Sequence, residues 1–441
     1  MAINHTRRDF LEASAATALA STALQSTSAS RETPRKNIAI ITTLWSYLRH
    51  GQHIGDRFLV GYPWEGDWHD PQVQVVSAFV AQTPTAADME SRAAEFGFPQ
   101  GDLSAERARQ FDIELHTTIA AALRRGGDEL AVDGVVIIAE HGEYPYNDKG
   151  QHLYPRFDFF SQVADVFEED GHSVPVFNDK HLSFDFKKAS SMVDTSSRLG
   201  FPLLAGSSLP VTWRMPEMEI PLGANVTEAL VIDPGTSLDS SGLHSLEAMQ
   251  CLVERRKGGE SGVASVQLLE GDAVWQAMDQ GAWSHDLMSR ALSRADLVEG
   301  ITLVDARTQN LASPGVLQEI VAEPRAVLIS YRDGLKATML MLSGAIGDYT
   351  AALRVGRRGE VYSTKFHLPA EPNVAYSACL AHHIEEMIVT GSPNYPVQRT
   401  LLVSGVLEAA HNSRVNGHKL LETPQLAVEY QPPRQSQYCR S

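Results

Sequence analysis

The chain has 441 residues, of which 43% are hydrophobic and 21% charged, a composition that argues against a disordered or fibrous protein. Its formal net charge of -17 argues against nucleic acid as a partner, because nucleic-acid binding needs clustered Lys and Arg. No apolar stretch is long enough to cross a bilayer, so we expect no stable membrane span.

The N-terminus has the pattern of an export signal. Arg7 and Arg8 are followed by Phe10, Leu11 and a weakly apolar stretch rich in Ala, Ser and Thr that runs to Ala29. Paired arginines before such a stretch are typical of a twin-arginine signal, which carries folded proteins across the inner membrane. We therefore expect residues 1–35 to be a signal peptide and linker, the Tat machinery to be a partner, and the mature chain to be periplasmic or extracytoplasmic. The alternative is a chance arginine pair on a disordered N-terminus.

Short buried strands alternate with helices in the first part of the mature chain. Apolar, β-branched runs predict strands at 36–43, 73–80, 132–139, 174–177 and 202–206. Helical patterns fall between them, at 45–60, 86–95, 105–110, 118–124, 157–170 and 184–199. This alternation predicts a doubly wound parallel sheet in an α/β domain, with ligands at the carboxyl ends of the strands. We place this first domain at residues 36–180.

The pattern changes after Gly223. Longer strands are predicted at 226–232, 263–269, 325–331, 337–342 and 349–355, and helices at 243–255, 286–293, 373–390 and 401–414. Few crossovers between long strands predict an α+β domain with a mostly antiparallel open sheet, at residues 181–424, followed by a tail at 425–441. Because no helix is left to cover its outer face, we expect that face to pack against a copy of the chain in a homo-oligomer.

The cysteines are few and far apart. Cys251, Cys379 and Cys439 are odd in number and widely spaced, which predicts neither a disulfide framework nor a zinc knuckle. We interpret them as two buried small hydrophobic residues and one thiol in the tail.

Four segments together resemble the Gfo/Idh/MocA family of nicotinamide-dependent oxidoreductases that act on sugars. They are 132–138, 178–182 with the strand 200–206, 240–247, and the closing stretch 388–417. The resemblance implies a Rossmann-like first domain and NAD or NADP as the cofactor. It also implies that Lys180 and His244 flank the nicotinamide and the reacting carbinol, with Asp179 and His181 beside them. Hydride removal from a carbinol needs a base for the hydroxyl proton and a cation for the developing alkoxide, and His and Lys can serve in these roles.

The sequence departs from the family at the turn that holds the dinucleotide. Where the family has a glycine-rich G-x-G-x-x-G turn, this chain has residues 42–47, including Leu44 and Trp45, which would crowd the pyrophosphate. The second strand ends without an acid for the ribose hydroxyls. The candidate cofactor-side residues are Thr42, Thr43, Glu140 and His141.

A set of titratable residues follows the predicted strand ends. His50 and His53 lie three residues apart, so both can occupy one helical face. The remaining members, which we expect at one end of the sheet, are Glu140, His141, Asp179, His181 and His244. This set can hold a divalent metal, act as an acid/base set without one, or simply bond loop backbone and substrate hydroxyls. The sequence does not identify metal ligands.

Aromatic side chains on predicted loops favour a carbohydrate-like ligand, since aromatic faces stack on sugar rings. Arg214 can bind a substrate carboxylate or hydroxyl, or form an interdomain salt bridge. We take Tyr144, Trp213 and Arg214 as the substrate-side candidates. The aromatic residues are Trp45, Trp64, Trp68, Trp213, Tyr144, Tyr146 and Tyr154.

Three functions remain at this stage. The first is an exported sugar oxidoreductase, or a glycosidase assisted by a redox step, with a bound nicotinamide cofactor. The second is a cofactor-free or metal-dependent lyase, isomerase or hydrolase on the same scaffold. The third is a carbohydrate-binding protein without catalysis.

Overall fold

The computed structural model describes residues 34–97, 101–300, 310–368 and 375–440. The chain from Arg35 onward forms one compact unit. The predicted leader lies almost entirely outside the described residues. Within the described residues, no helix is long and apolar enough to cross a membrane.

The first sheet is parallel and has six strands in the order β5-β4-β1-β6-β7-β8. Its strands are apolar because helices cover both faces. In β1, Ile38 and Ile40 face one helix layer while Ala39 and Ile41 face the other. The strands are β1 (Lys36–Thr42), β4 (Val73–Val80), β5 (Glu114–His116), β6 (Gly134–Ile138), β7 (Val176–Asp179) and β8 (Leu203–Gly206); β2 (Tyr62–Trp64) and β3 (Asp67–His69) form a separate hairpin.

Two layers of helices cover this sheet. One layer is built by helices that follow strands of the sheet, and the other includes a helix from the end of the chain. The predicted boundary at residue 180 stays a prediction, although the parallel sheet itself continues to Gly206. The helices are α1 (His50–Gly55), α2 (Arg57–Val60), α3 (Ala86–Phe96), α4 (Ser104–Phe111), α5 (Ile119–Arg124), α6 (Arg156–Asp170), α7 (Phe186–Leu199) and, from the chain end, α12 (Tyr376–Thr390).

The second sheet has eight strands in the order β16-β11-β12-β13-β10-β14-β15-β9, and only its β10–β13 pair is parallel. The predicted fold class, a doubly wound parallel sheet followed by a mostly antiparallel one, is therefore confirmed. The strands are β9 (Trp213–Met215), β10 (Val226–Asp233), β11 (Val263–Glu270), β12 (Arg325–Tyr331), β13 (Lys336–Met341), β14 (Tyr349–Val355), β15 (Glu360–His367) and β16 (Leu421–Glu422).

Helices pack on both faces of the second sheet, which corrects the expectation of an open outer face. Residues of α8 (Ser241–Val253) and α13 (Gln398–Val415) pack on one face. The other face is covered by α9 (Asp272–Asp279), α10 (His285–Leu292) and α11 (Val316–Ile320), which bury Trp275, Trp283 and Leu287 against Leu230 and Ile232. An uncovered sheet face was the reason to expect a homo-oligomer. Because that face is covered, the homo-oligomer stays a prediction without this support. Short 3-10 turns occur at Leu209–Val211 and Pro424–Leu426.

The cysteine prediction was wrong. Cys379 of α12 and Cys439 of the tail form a disulfide with a Cα–Cα distance of 6.3 Å, and Cys251 is the free, buried cysteine. The tail is not loose: Tyr438 and Cys439 are buried, and the Cys439 N–H donates to the Val211 carbonyl. The sequence did not indicate this pair because the two cysteines are 60 residues apart. They meet only because the tail packs on a helix layer of the first sheet.

Candidate active site

The centre of the candidate site is Lys180, the residue directly after β7. It adopts a left-handed conformation with φ of 63°, and its N–H donates to the Gly206 carbonyl at the end of the neighbouring strand. Its Nζ lies 2.9 Å from Nε2 of His244 on α8. At this contact, the carboxyl end of the parallel sheet therefore meets a helix that packs on the second sheet.

Glu140 balances the positive charges beside it. The carboxylate follows β6, is 4% exposed, forms an ion pair with Arg156 and lies 3.6 Å from Lys180 Nζ. Burial by itself would raise the pKa of Glu140, but the charges of Lys180 and Arg156 outweigh burial and hold it well below its usual value. Glu140 is therefore ionised at neutral pH.

The histidines of the site are held neutral. Burial lowers the pKa of His244 well below its usual value, and the positive charge of Lys180 lowers it further. Burial also lowers the pKa of His181, with the Arg156 charge next in size. The Arg156 guanidinium lies 3.0 Å from His181 Nε2, so this nitrogen accepts from Arg156. Both rings are therefore uncharged at neutral pH, with one protonated nitrogen and one acceptor nitrogen each.

Asp179 contacts the first helix. Its Oδ2 lies 2.6 Å from Nδ1 of His50, the first residue of α1. His50 in turn packs edge-on against His53 and His141, with ring centroids 4.6 and 5.1 Å away. The predicted set of titratable residues at one end of the sheet is thus brought together.

A cleft of about 210 Å³ lies over Lys180 and Glu140. Aromatic rings form one of its walls: Tyr146 stacks on His152 with centroids 4.2 Å apart, and His152 lies 4.0 Å from Tyr154. Aromatic faces beside charged and hydroxyl groups suit a polyhydroxylated ligand. The lining residues are Glu140, His141, Tyr146, His152, Tyr154, Arg156, Lys180, Ser237, Asp239 and Ser240.

The turn after β1 is closed by its own side chains and backbone. Thr42 and Thr43 are fully buried, and their hydroxyls donate to the Ile138 and Glu140 carbonyls. Trp45 is also fully buried, with its indole N–H donating to Asp56, so it does not lie on the rim as predicted. A Cβ on Gly51 would collide with the Leu44 carbonyl, because the turn packs directly on α1.

The end of β4, where the ribose would lie, is closed as well. The Gln82 side chain accepts from the Glu143 N–H and donates to the Glu143 carbonyl, at 2.8 and 3.1 Å. The cleft beside this pair measures about 220 Å³. Together with the closed turn, this geometry does not fit a dinucleotide in the pose that a glycine-rich turn provides.

Among the described residues, no group of three or more His, Cys, Asp or Glu side chains is arranged to hold a metal ion. A divalent metal therefore finds no preformed ligand set in the part of the chain that the structure describes. The titratable residues instead pair with one another and with Arg156.

The substrate-side candidates are divided between places. Tyr144 packs on Tyr154, with ring centroids 5.6 Å apart, near the Lys180 cleft. Trp213 and Arg214 lie on β9 and line a different cleft of about 520 Å³, with Cys439 and Arg440. Arg214 is 3% exposed, donates to the Met218 carbonyl and stacks on Tyr438, so it holds the tail in place. The structure therefore does not bring Trp213 and Arg214 to Lys180.

Sequence reasoning missed Arg156, the cation that contacts both Glu140 and His181. It also missed His152 and Asp239, which line the cleft. The available signal for Arg156 was its position at the start of α6, directly after the loop that follows Glu140. An arginine at the first position of a helix near strand ends is placed to reach back toward them.

Comparison with known proteins finds the fold but no sequence relative. No family model matches the chain, and no curated protein matches it. Among solved structures, GenD2 from gentamicin A biosynthesis, in complex with NAD, is 14% identical, with 89% of this chain and 98% of that chain covered and a TM-score of 0.52. The chain has the fold of Gfo/Idh/MocA-type oxidoreductases.

Two further structures have similar coverage. The myo-inositol dehydrogenase from Lactobacillus casei, in complex with NAD(H) and myo-inositol, is 13% identical and covers 88% of this chain and 97% of its own, with a TM-score of 0.49. A putative myo-inositol dehydrogenase from Sinorhizobium meliloti 1021 is 12% identical, covers 88% and 99%, and has a TM-score of 0.48. The match to GenD2 confirms the predicted resemblance at the level of the fold.

Proposed function

We propose that this chain is an oxidoreductase that acts at a carbinol carbon of a sugar or sugar derivative. The observation that carries the proposal is the 2.9 Å contact between Lys180 Nζ and His244 Nε2, at a strand end of a dehydrogenase-type fold. The aromatic wall of Tyr146, His152 and Tyr154 supports the substrate class.

The residues of this site can handle the proton of a carbinol. A substrate hydroxyl that enters between Lys180 and His244 would accept a hydrogen bond from the ammonium and donate its proton to His244 Nε2. Because His244 is neutral, it can take that proton, and Lys180 then stabilises the alkoxide oxygen. Glu140 and Arg156 fix the ammonium beside the reacting oxygen.

A specific observation favours a second candidate. Oxidation also needs a hydride acceptor, yet the closed turn at Leu44 and Gly51 does not fit a dinucleotide in the family's pose. A cofactor-free lyase, isomerase or hydrolase would use the same proton-transfer residues without that acceptor.

Native mass spectrometry of the chain purified without added cofactor separates the two candidates when it is combined with a turnover assay. A bound nicotinamide dinucleotide, or turnover of a sugar only after NAD or NADP is added, supports the oxidoreductase. A bare chain that converts a sugar without any nicotinamide supports the second candidate and contradicts the first.

We also propose that the protein is exported by the Tat route and works outside the cytoplasm. Besides the twin arginines, the Cys379–Cys439 disulfide supports this proposal, because disulfides persist in oxidising compartments and are rare in the cytosol. Cell fractionation of the full chain tests it, with the double variant Arg7→Lys and Arg8→Lys as the comparison. We expect periplasmic protein for the natural sequence and cytoplasmic retention for the variant; equal cytoplasmic retention of both contradicts export.

A further inference from the structure

Two consecutive residues at the end of β7 anchor two separate pairs of titratable side chains. Lys180 contacts His244 and Glu140, whereas Asp179 contacts His50, with Nδ1 and Oδ2 2.6 Å apart. The proton transfer described above uses only the Lys180 pair. The Asp179–His50 pair belongs to the same site, but the proton transfer described above does not use it.

The surroundings of Asp179 define the state of the His50 ring. Asp179 is 1% exposed. Its Oδ2 contacts His50, whereas its Oδ1 has no hydrogen-bond partner among the described residues. A carboxylate in this position holds the proton on Nδ1, because that nitrogen must donate to it. The Nε2 atom then carries a lone pair, which is the arrangement that makes a histidine a base.

His50 contacts a residue that lines the cleft. Its side chain keeps 14% exposure, unlike that of Asp179 at 1%. Its ring packs edge-on against His141, which lines both the cleft over Lys180 and the one beside Gln82. His50 therefore lies behind the wall that the two clefts share.

The position of His50 in the fold explains why this pair can exist. In dinucleotide-binding enzymes the start of the first helix faces the pyrophosphate. Here the turn packs on that helix, and its first residue turns toward Asp179 instead. The start of α1 thus takes part in an acid–base pair, with His53 and His141 as the neighbouring rings.

We propose that His50, held by Asp179, is a second proton-transfer residue of this site, which takes a proton from a second hydroxyl of the sugar substrate. The inference rests on the proposed function, since it adds a second base to the same reaction. A proton leaves a substrate O–H, its electron pair stays on the oxygen, and a new N–H bond forms at His50 Nε2. Asp179 stabilises the resulting imidazolium, and the ring returns the proton to solvent or product.

The test compares His50→Gln and Asp179→Asn with His285→Gln, an exposed histidine on α10. Sugar consumption is followed by proton NMR with a panel of aldoses, aldonates, uronates and inositols. We expect kcat to fall about 100-fold in His50→Gln with KM changed less than threefold, and the acidic limb of the pH profile to move in Asp179→Asn. The control should keep full turnover.

A second readout does not depend on turnover. Nitrogen-15 NMR of the full chain with labelled histidine should show His50 with its proton on Nδ1 and lose that preference in Asp179→Asn. Two results would overturn this inference and leave the proposed function intact. One is a proton on Nε2 of His50, and the other is full turnover in His50→Gln while His244→Gln is inactive. A natural chain that converts no sugar overturns it together with the proposed function.

Discussion

Lys180 Nζ lies 2.9 Å from His244 Nε2, so a residue at the end of the parallel sheet touches a helix that packs on the other sheet. Neither partner is at the surface: Lys180 is 5% exposed and His244 is largely enclosed. A buried ammonium beside a neutral imidazole is costly unless other charges compensate, and Glu140 supplies that compensation. The arrangement is therefore specified by two opposite charges and a neutral ring from three separate segments of the chain.

Lys180→Met should abolish most of the activity because the alkoxide loses its cation. We expect kcat/KM to fall about 10²- to 10⁴-fold, as for removal of other groups that stabilise a developing charge. Steady-state kinetics with the best sugar of the panel measures the effect. Lys187→Met on the exposed face of α7 is the matched control, and an equal loss there would contradict the assigned role.

Glu140→Gln should destabilise the fold, because Arg156 and Lys180 then stay buried without their carboxylate. Breaking a buried ion pair from one side costs about 3–5 kcal/mol in the free energy of unfolding. Urea denaturation of the variant measures it, with Glu143→Gln, an exposed carboxylate in the same loop, as the control. A loss below about 1 kcal/mol, the range of surface ion pairs, would contradict the buried cluster.

Stability should fall as the pH drops below neutrality. The folded-state pKa values of His141, His181 and His244 are lowered, chiefly by burial. The unfolded chain therefore takes up protons near its own pKa of about 6.5 while the folded chain does not, so stability is complete above that pH and is lost below it. Urea unfolding measured from about pH 8 to 5 should show this loss, reduced in His181→Gln; an increase in stability over the same range would contradict neutral buried rings.

Reduction of the disulfide should loosen the attachment of the tail. Cys379 and Cys439 close a loop with a sequence separation of 60, and loss of such a crosslink typically costs about 2–4 kcal/mol. Thermal unfolding with and without a reductant measures the effect in the natural chain. Cys439→Ser should have a lower Tm than the natural chain, and the reductant should not change it. If the reductant lowered the Tm of this variant as much as that of the natural chain, the Cys379–Cys439 disulfide would not be the cause of the decrease.

The sequence predicted what depends on local pattern. Short apolar, β-branched runs identified the strands that contain Ile40, Val136 and Val231, because strands buried on both faces are apolar throughout. The convergence of Glu140 and Lys180 followed from the rule that strand ends of a parallel sheet share one edge, whereas the placement of His244 beside Lys180 followed from the family resemblance. These are the features that a single segment, or a single topological rule, can specify.

The rest depended on contacts between distant segments. The covering of the outer sheet face by Trp275 and Trp283, and the pairing of Cys379 with Cys439, join residues whose partners no local pattern indicates. Trp45 looked like a rim aromatic because its loop was read as exposed, yet Asp56 satisfies its indole N–H and allows full burial. His50 lacked a partner in the sequence because Asp179 lies 129 residues away.

The central claim is that the Lys180–His244 pair transfers a proton on a sugar. The most direct measurement follows the sugar panel by proton NMR, with and without NAD or NADP, for the natural chain and for His244→Gln. We predict that the natural chain converts at least one member and that the variant, folded by circular dichroism, converts it about 100-fold more slowly. Conversion at an unchanged rate in His244→Gln, or binding of sugars by the natural chain without conversion of any of them, would contradict the claim.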